Sequence, residues 1–432
     1  MPESNTPSAD NADAGKTRWS FWRALGPGLI TGAADDDPSG IATYSQTGAQ
    51  FGYGLLWTLL LTLPFMVAIQ IISAAIGWRT RKGLAHNMAK RMPRFVLYVL
   101  VALLVVANTI NIAADLAAMG EAVKLVVGGP ALAYVAVLGI ISVTAEVLIP
   151  YQRYAGYLKY LTVVLLVYVA AAFAAHLPWG DVARGALVPT ITFDKDLLLT
   201  IVAVFGTTIS PYLFFWQASQ EAEESNLSYH CKYVHKPPAE SKYLRHIAFD
   251  TWAGMLVSNA IAVFIVVTAA ATLHVSGVTT VTSAAQAAEA LRPIAGDLTF
   301  ILFALGIVGT GLLAVPVLAG SAAYAVAETF DMPGSLELPA NRAMGFYGIV
   351  GAATLGGVVL AATPIPPMQM LFWAAVINGV VAIPFMICMM VIVTTKGADK
   401  TFGLPRWIKI LGWLSAALML GVVVMMALSD AS

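Results

Sequence analysis

Apolar runs recur from position 25 to position 428, with short polar stretches between them. A helix crossing the ~30 Å hydrocarbon core of a bilayer needs about 20 mostly apolar residues. On that length the chain divides into eleven predicted spans: 25–46, 52–77, 95–122, 131–149, 155–176, 197–218, 248–273, 298–326, 343–362, 367–395 and 407–428. The pattern predicts an all-α polytopic membrane protein. Residues 1–24 are polar and lack the apolar stretch of a secretory signal, so they are expected to form a disordered cytoplasmic tail.

Two spans are interrupted. Span 1 opens on Gly26-Pro27-Gly28 and continues through Gly32-Ala33-Ala34-Asp35-Asp36-Asp37-Pro38-Ser39-Gly40. Span 6 reads Phe205-Gly206-Thr207-Thr208-Ile209-Ser210-Pro211-Tyr212. Proline removes a backbone donor and disturbs the preceding turn. In lipid a broken helix is tolerated only where the freed carbonyls face protein, a cavity or an ion. Two broken spans, five apart, predict an inverted five-plus-five repeat whose first helices frame a substrate site at the midplane. The predicted organisation is one transporter domain over 25–432. Its first repeat covers 25–178 and its second 197–395, with an extra helix at 407–428.

Composition narrows the class. The chain is 59% hydrophobic and only 11% charged, with 24 basic and 24 acidic residues. A soluble enzyme of this length would lack the polar surface to cover its apolar atoms. A neutral chain has no basic footprint for nucleic acid. The position of the charges says more than their balance. With the N-terminus in the cytoplasm, 20 of the 24 Lys and Arg fall on the cytoplasmic side, and only Lys124, Arg184, Lys195 and Arg292 fall outside. That bias predicts a plasma (inner) membrane protein with a cytoplasmic N-terminus and an extracellular C-terminus. Cys231 lies in a polar loop and Cys388 in an apolar run, so no disulfide is expected.

Three carboxylates in mid-membrane are the strongest chemical signal. Each ionised group there costs roughly 2.5–3.5 kcal/mol on insertion scales, so such groups mark ion pathways. Asp37 sits directly at the break. Asp35 and Asp36 either join it on the ion or line the approach and cap a half-helix, where the dipole favours anions.

At these residues the sequence resembles the Nramp family of divalent metal transporters, and its magnesium-transporting branch more than the main branch. Gly26-Pro27-Gly28 stands where members carry Gly-Pro-Gly, and Asp37-Pro38-Ser39-Gly40 where they carry Asp-Pro-Gly-Asn. Ser210-Pro211-Tyr212 stands at their Met-Pro-His, with Thr207 at their alanine; Asp115-Leu116-Ala117-Ala118 stands at their Asp-Leu-Ala-Glu in span 3 and keeps the aspartate but not the glutamate. The resemblance covers spans 1 to 10. It implies a LeuT-like fold with an ion site between spans 1 and 6. The site residues it implies are Asp37, Gly40, Thr207 and Ser210, with Asp36 and Asn378 as further candidates. Asp115, Tyr212 and Gln217 are expected on the transport pathway.

The departures from the family pattern bear on the cargo. A thioether ligand favours transition metals, and Ser210 replaces it. Gly40 replaces an asparagine and offers no side chain. What remains is oxygen, which suits Mg²⁺ or Mn²⁺. Both exchanges remove side-chain volume, so a wider site holding a largely hydrated Mg²⁺ is expected. The ion is substrate, and no cofactor is expected. The expected partners are a divalent cation and the bilayer, with no nucleic acid, and the protein is expected to be a monomer. Tyr212 and Gln217 replace titrating histidines, and Ala118 replaces a glutamate, so weak or absent proton coupling is expected. Asp115 is either an intramembrane proton acceptor or a packed group bonded to Asn108, Asn111 or Thr109. Asn378 and, more weakly, Gln70 are either site residues or interhelical hydrogen-bonding groups.

Rival classes are disfavoured. The six histidines lie in or near loops and none lies at a break, which argues against a membrane enzyme. A sodium-coupled amino-acid symporter of the same fold favours a neutral break. A proton-coupled Mn²⁺ transporter is the nearest alternative. The run Gln220-Glu221-Ala222-Glu223-Glu224 is expected to be a solvated helix end, with an attractor for cations at the inner exit as the second reading.

Overall fold

The computed structural model describes residues 27–149, 163–175, 177–189, 194–227, 239–336, 338–395 and 397–429. The tail, Gly26, much of span 5 and the loop with His230, Cys231 and His235 lie outside the described residues. Among the described residues every regular element is helical. Nine of these helices are long and apolar enough to cross a membrane. Span 1, which is split into α1 (Pro27–Asp35) and α2 (Pro38–Phe51), is not among the nine, whereas the split span 6 is.

Span 2 is α3 (Leu56–Thr80), followed by the short α4 (Leu84–Ala89). Spans 3 and 4 are α5 (Arg94–Val127) and α6 (Ala131–Leu148). The described end of span 5 is α7 (Leu166–Ala174), and α8 (Trp179–Leu187) follows it. Span 6 is split like span 1, into α9 (Lys195–Thr208) and α10 (Pro211–Leu227). Span 7 is α11 (Ala239–Ala269), which ends in a π turn at Ala270–His274, and α12 (Ala284–Glu289) lies in the loop beyond. Spans 8 to 11 are α13 (Thr299–Thr329), α14 (Met344–Ala361), α15 (Pro367–Thr394) and α16 (Arg406–Ser429).

Both breaks have one cause. Each second half-helix begins with a proline, Pro38 or Pro211. Proline suits the first helical position, and its ring drives the preceding residue out of the helical region. Asp37 is accordingly extended, with φ −70° and ψ 170°. Ile209, two residues before Pro211, has φ −120° and ψ 61°. Among the helices between and around these breaks, α5 and α13 are in extensive contact. The last span, α16, lies at the edge against α3 and α15.

Small residues bring the broken spans close to their neighbours, as in other membrane helix pairs. A Cβ on Gly32 of α1 would lie 2.4 Å from the Gly254 carbonyl carbon of α11. One on Gly206 of α9 would lie 2.0 Å from the Ala375 oxygen and 2.4 Å from the Gly379 nitrogen of α15. The half-helices are thus seated backbone to backbone. Val106, Ile140, Leu355 and Trp413 are apolar yet exposed, which fits a surface that faces lipid rather than water.

Candidate metal site at the two helix breaks

Asp37 is the hub of the span 1 break. As the N-cap of α2, its Oδ1 accepts from the Gly40 backbone N–H and from the Ser39 hydroxyl, both at 2.7 Å. Its Oδ2 accepts from Asn111 Nδ2 at 3.1 Å and lies 3.4 Å from the Tyr212 hydroxyl, which also donates to the Ala34 carbonyl at 3.2 Å. One carboxylate therefore joins both halves of the break in span 1 to span 3 and to span 6.

The amide chain beyond Asp37 has a fixed direction. An ionised carboxylate only accepts, so Asn111 must present its amide nitrogen to Asp37 and to Asp115, whose Oδ2 is 3.3 Å away. The Asn111 carbonyl then faces Asn378, which donates to it at 3.0 Å. The Asn378 oxygen has no partner among the described residues. Of the partners considered for Asp115, Asn111 is the one adopted. Asn108 instead donates to the Leu318 carbonyl and to Ser321, and Thr109 to Val105.

At the span 6 break, Ser210 Oγ donates back to the Gly206 carbonyl at 2.6 Å and the Thr207 carbonyl at 3.1 Å. This serves orphan carbonyls at the end of α9. With its hydrogen engaged, the serine oxygen acts as an acceptor. Thr207 Oγ1 faces Gly40: a Cβ there would lie 3.3 Å from it and 3.3 Å from the Tyr44 ring. The volume freed at Gly40 is thus occupied by Thr207 and Tyr44 in this closed arrangement, so the widening expected there is not seen.

Asp35 and Asp36 turn towards span 7. Ser258 of α11 lies 2.7 Å from Asp35 Oδ2 and 3.0 Å from Asp36 Oδ1, so one hydroxyl serves two carboxyl groups. Asp36 is therefore beside the Asp37 network but not within it. Gln217 is one and a half turns past Tyr212. It accepts from the Thr31 hydroxyl at 2.6 Å and reaches Glu221 at 3.4 Å, tying α1 to α10.

Every candidate is shut away. Asp37, Thr207, Ser210, Asn378 and Asp115 are all at most 2% exposed. Within that closed region Asp35 Oδ1, Asp115 Oδ1 and Asn378 Oδ1 have no hydrogen-bond partner among the described residues, and the Thr207 and Tyr44 hydroxyls have only each other there. Buried polar atoms are ordinarily paired, so a group of bare acceptors at two helix breaks marks a place for a ligand. Sequence reasoning missed Tyr44 and Ser258 and left Asn111 as one option of three. Asn111 lies one turn before Asp115, and Tyr44 one turn after Gly40, so helical spacing could have found both. No local signal points to Ser258.

Two cavities flank the site. One, of about 210 Å³, is lined by Gln46, Gln50, Asp196, Thr200 and Gln369 among others. The second, of about 230 Å³ on the α4 face, is lined by Glu223, Glu328, Asp331, His86, Arg81 and Lys82 among others. Burial and the nearby Lys90 and Lys82 hold His86 below the usual imidazole range. Glu221 is 1% exposed, and Glu223 accepts from the Tyr324 hydroxyl at 2.8 Å. Glu221 is therefore turned into the protein and Glu223 is half-buried, whereas Glu224 is exposed, so the acidic end of span 6 is solvated only in part. α13 packs against α10 there and supplies the partner.

A family model described as natural resistance-associated macrophage protein-like, Nramp, matches residues 28–429. A divalent metal cation transporter MntH of Yersinia pestis is 30% identical over 298 residues, covering 67% of this chain and 68% of that protein. The MntH of Pectobacterium carotovorum is 29% identical over 345 residues, covering 77% of this chain and 78% of its own. Among solved structures, the Eremococcus coleocola manganese transporter superposes with a TM-score of 0.73 at 15% identity, covering 95% of this chain and 88% of its own. Mhp1, a nucleobase-cation-symport-1 transporter, superposes with 0.55 at 14% identity, covering 93% of both chains. The architecture, with two helices broken at matching points, is thus the LeuT-like fold, and the chain belongs to the Nramp family.

Proposed function

We propose that the protein carries divalent cations across the membrane by alternating access, with Mg²⁺ as its main cargo and Mn²⁺ as a second. The observation that carries this reading is the set of bare oxygen acceptors around Asp37. Water bound to a small cation points its hydrogens outward, so a hydrated ion needs acceptors on its walls. Mg²⁺ gives up its waters reluctantly. Asp37 supplies the charge, and Thr207, Ser210 and Asn378 accept from the shell. Asp35 and Asp36 add to the negative field from the span 7 side. Soft sulfur is absent from this set, which favours hard ions.

In this reading residues 25–432 act as one monomeric transporter unit. It sits in the plasma membrane with the N-terminus cytoplasmic, as the basic loop charges favour. Proton coupling is weak: Tyr212 and Gln217 stand where titrating groups would be needed, and Asp115 is held in the amide chain. An inward-negative potential of 100 mV contributes about 4.6 kcal/mol per divalent ion, sufficient for uptake without protons. A proton-coupled Mn²⁺ symporter is the second reading. It is favoured by the names of the relatives and by Asp115 lying one amide away from Asp37.

The test is ion flux into liposomes with lumenal pH recorded alongside. Mg²⁺ and Mn²⁺ uptake without lumenal acidification is expected. Strong Cd²⁺ or Fe²⁺ uptake with no Mg²⁺ uptake would overturn the cargo, and acidification driven by Mg²⁺ would overturn the coupling. Ser210→Met places a thioether among the acceptors. It is expected to raise the Cd²⁺-to-Mg²⁺ uptake ratio by roughly ten-fold.

A further inference from the structure

Gln70 lies in the middle of α3, is 1% exposed, and has neither its amide nitrogen nor its amide oxygen paired among the described residues. A buried primary amide has two donors and two lone pairs to satisfy. Leaving it bare is the exception in folded proteins, and it calls for a cause.

The packing of α3 on α10 locates this amide. Ser73 Oγ donates to the Phe214 carbonyl at 2.5 Å. One turn on, a Cβ at Gly77 would lie 2.0 Å from the Ala218 oxygen. Both contacts have the same sequence offset, so the two helices run in parallel register. The same offset places Gln70 level with Pro211, beside Ser210. Direction agrees with level. Seven residues turn an α-helix by about 700°, within roughly 20° of a whole number of turns. Gln70 therefore points the same way as Gly77, which lies against the α10 backbone at Ala218.

We propose that Gln70 is a specificity-determining residue for the transported ion. Resting on the reading of the two breaks as the ion site, it gives the site a wall from span 2. Its carbonyl oxygen accepts from a water in the ion's shell on the Ser210 side. A hydrated Mg²⁺ uses such a wall, whereas a partly stripped Mn²⁺ held on direct ligands depends on it less.

The discriminating variants are Gln70→Leu and Gln70→Glu, assayed for Mg²⁺ and Mn²⁺ uptake in liposomes beside Asp37→Ala. Thermal unfolding in detergent is followed with and without Mg²⁺. Gln70→Leu is expected to raise the Mg²⁺ KM about ten-fold, the effect of losing one hydrogen bond to a charged partner. The maximal rate should stay within two-fold and the Mn²⁺ KM within about three-fold. Gln70→Glu keeps the acceptors and loses the donors, so it is expected to hold the Mg²⁺ KM near the wild-type value. A purely structural amide gives a different outcome: both variants lower the unfolding temperature without Mg²⁺ and shift both ions equally, which overturns the proposal. A Mg²⁺ KM within two-fold of wild type for Gln70→Leu, with Asp37→Ala inactive, overturns it while leaving the ion site standing. Unimpaired transport by Asp37→Ala overturns both.

Discussion

Asp37→Ala is expected to lower Mg²⁺ uptake at least about a hundred-fold. The carboxylate has two separable tasks. As N-cap of α2 it holds the Gly40 N–H and the Ser39 hydroxyl, a contribution of about 1 kcal/mol to stability. In the proposed site it is the charge that faces the cation, and a charge-assisted contact is worth about 1.5–3 kcal/mol, or one to two orders of magnitude in binding. Removing the whole carboxylate also frees Asn111 and Tyr212, which it now holds. Asp37→Ser separates the two tasks, because serine is also a strong N-cap. Asp37→Ala is expected to lower both the unfolding temperature and uptake, whereas Asp37→Ser, which keeps the cap but not the Oδ2 contacts, lowers uptake with a smaller fall in unfolding temperature. Uptake by Asp37→Ser within ten-fold of wild type would remove Asp37 from the role of principal charge.

Gly206→Val is expected to prevent assembly of the transport core. Its Cβ would meet backbone atoms of Ala375 and Gly379 at 2.0 and 2.4 Å. Backbone cannot rotate aside as a side chain can, so α9 and α15 would have to part. Overpacking costs about 1–3 kcal/mol even where side chains can yield, against a typical total stability of 5–15 kcal/mol. The same displacement would carry Thr207, Ser210 and Asn378 off their positions. Size-exclusion profiles of the detergent-solubilised protein should show loss of the monodisperse peak. Gly180→Ala, where a Cβ meets nothing within 4 Å, should leave the profile unchanged. A monodisperse, active Gly206→Val would show that this contact does not set the geometry of the break.

Much of this arrangement is legible in the sequence because the bilayer simplifies the problem. Apolar length locates the spans, and a proline beside polar residues in such a run locates a break. Thus Asp37-Pro38 and Ser210-Pro211 mark both discontinuities, with the half-helices starting at the prolines. What lies across space is not legible. Nothing near Asp35 in the sequence indicates that Ser258, 223 positions away, will lie against its carboxyl. Nor does composition reveal that Glu223, at the acidic end of span 6, is held by Tyr324 of a different helix. The volume argument at Gly40 failed for the same reason: a missing side chain leaves space only if no neighbour fills it, and Tyr44 and Thr207 do.

The complete closure around Asp37 sets a ceiling on electrical behaviour. With every site residue at most 3% exposed, an ion enters or leaves only when helices move, and collective motions of that kind take microseconds to milliseconds. One molecule therefore passes on the order of 10³–10⁶ ions per second at most. Its current is delivered one transport cycle at a time, and a patch electrode would record a smooth macroscopic drift summed over many copies rather than discrete unitary steps.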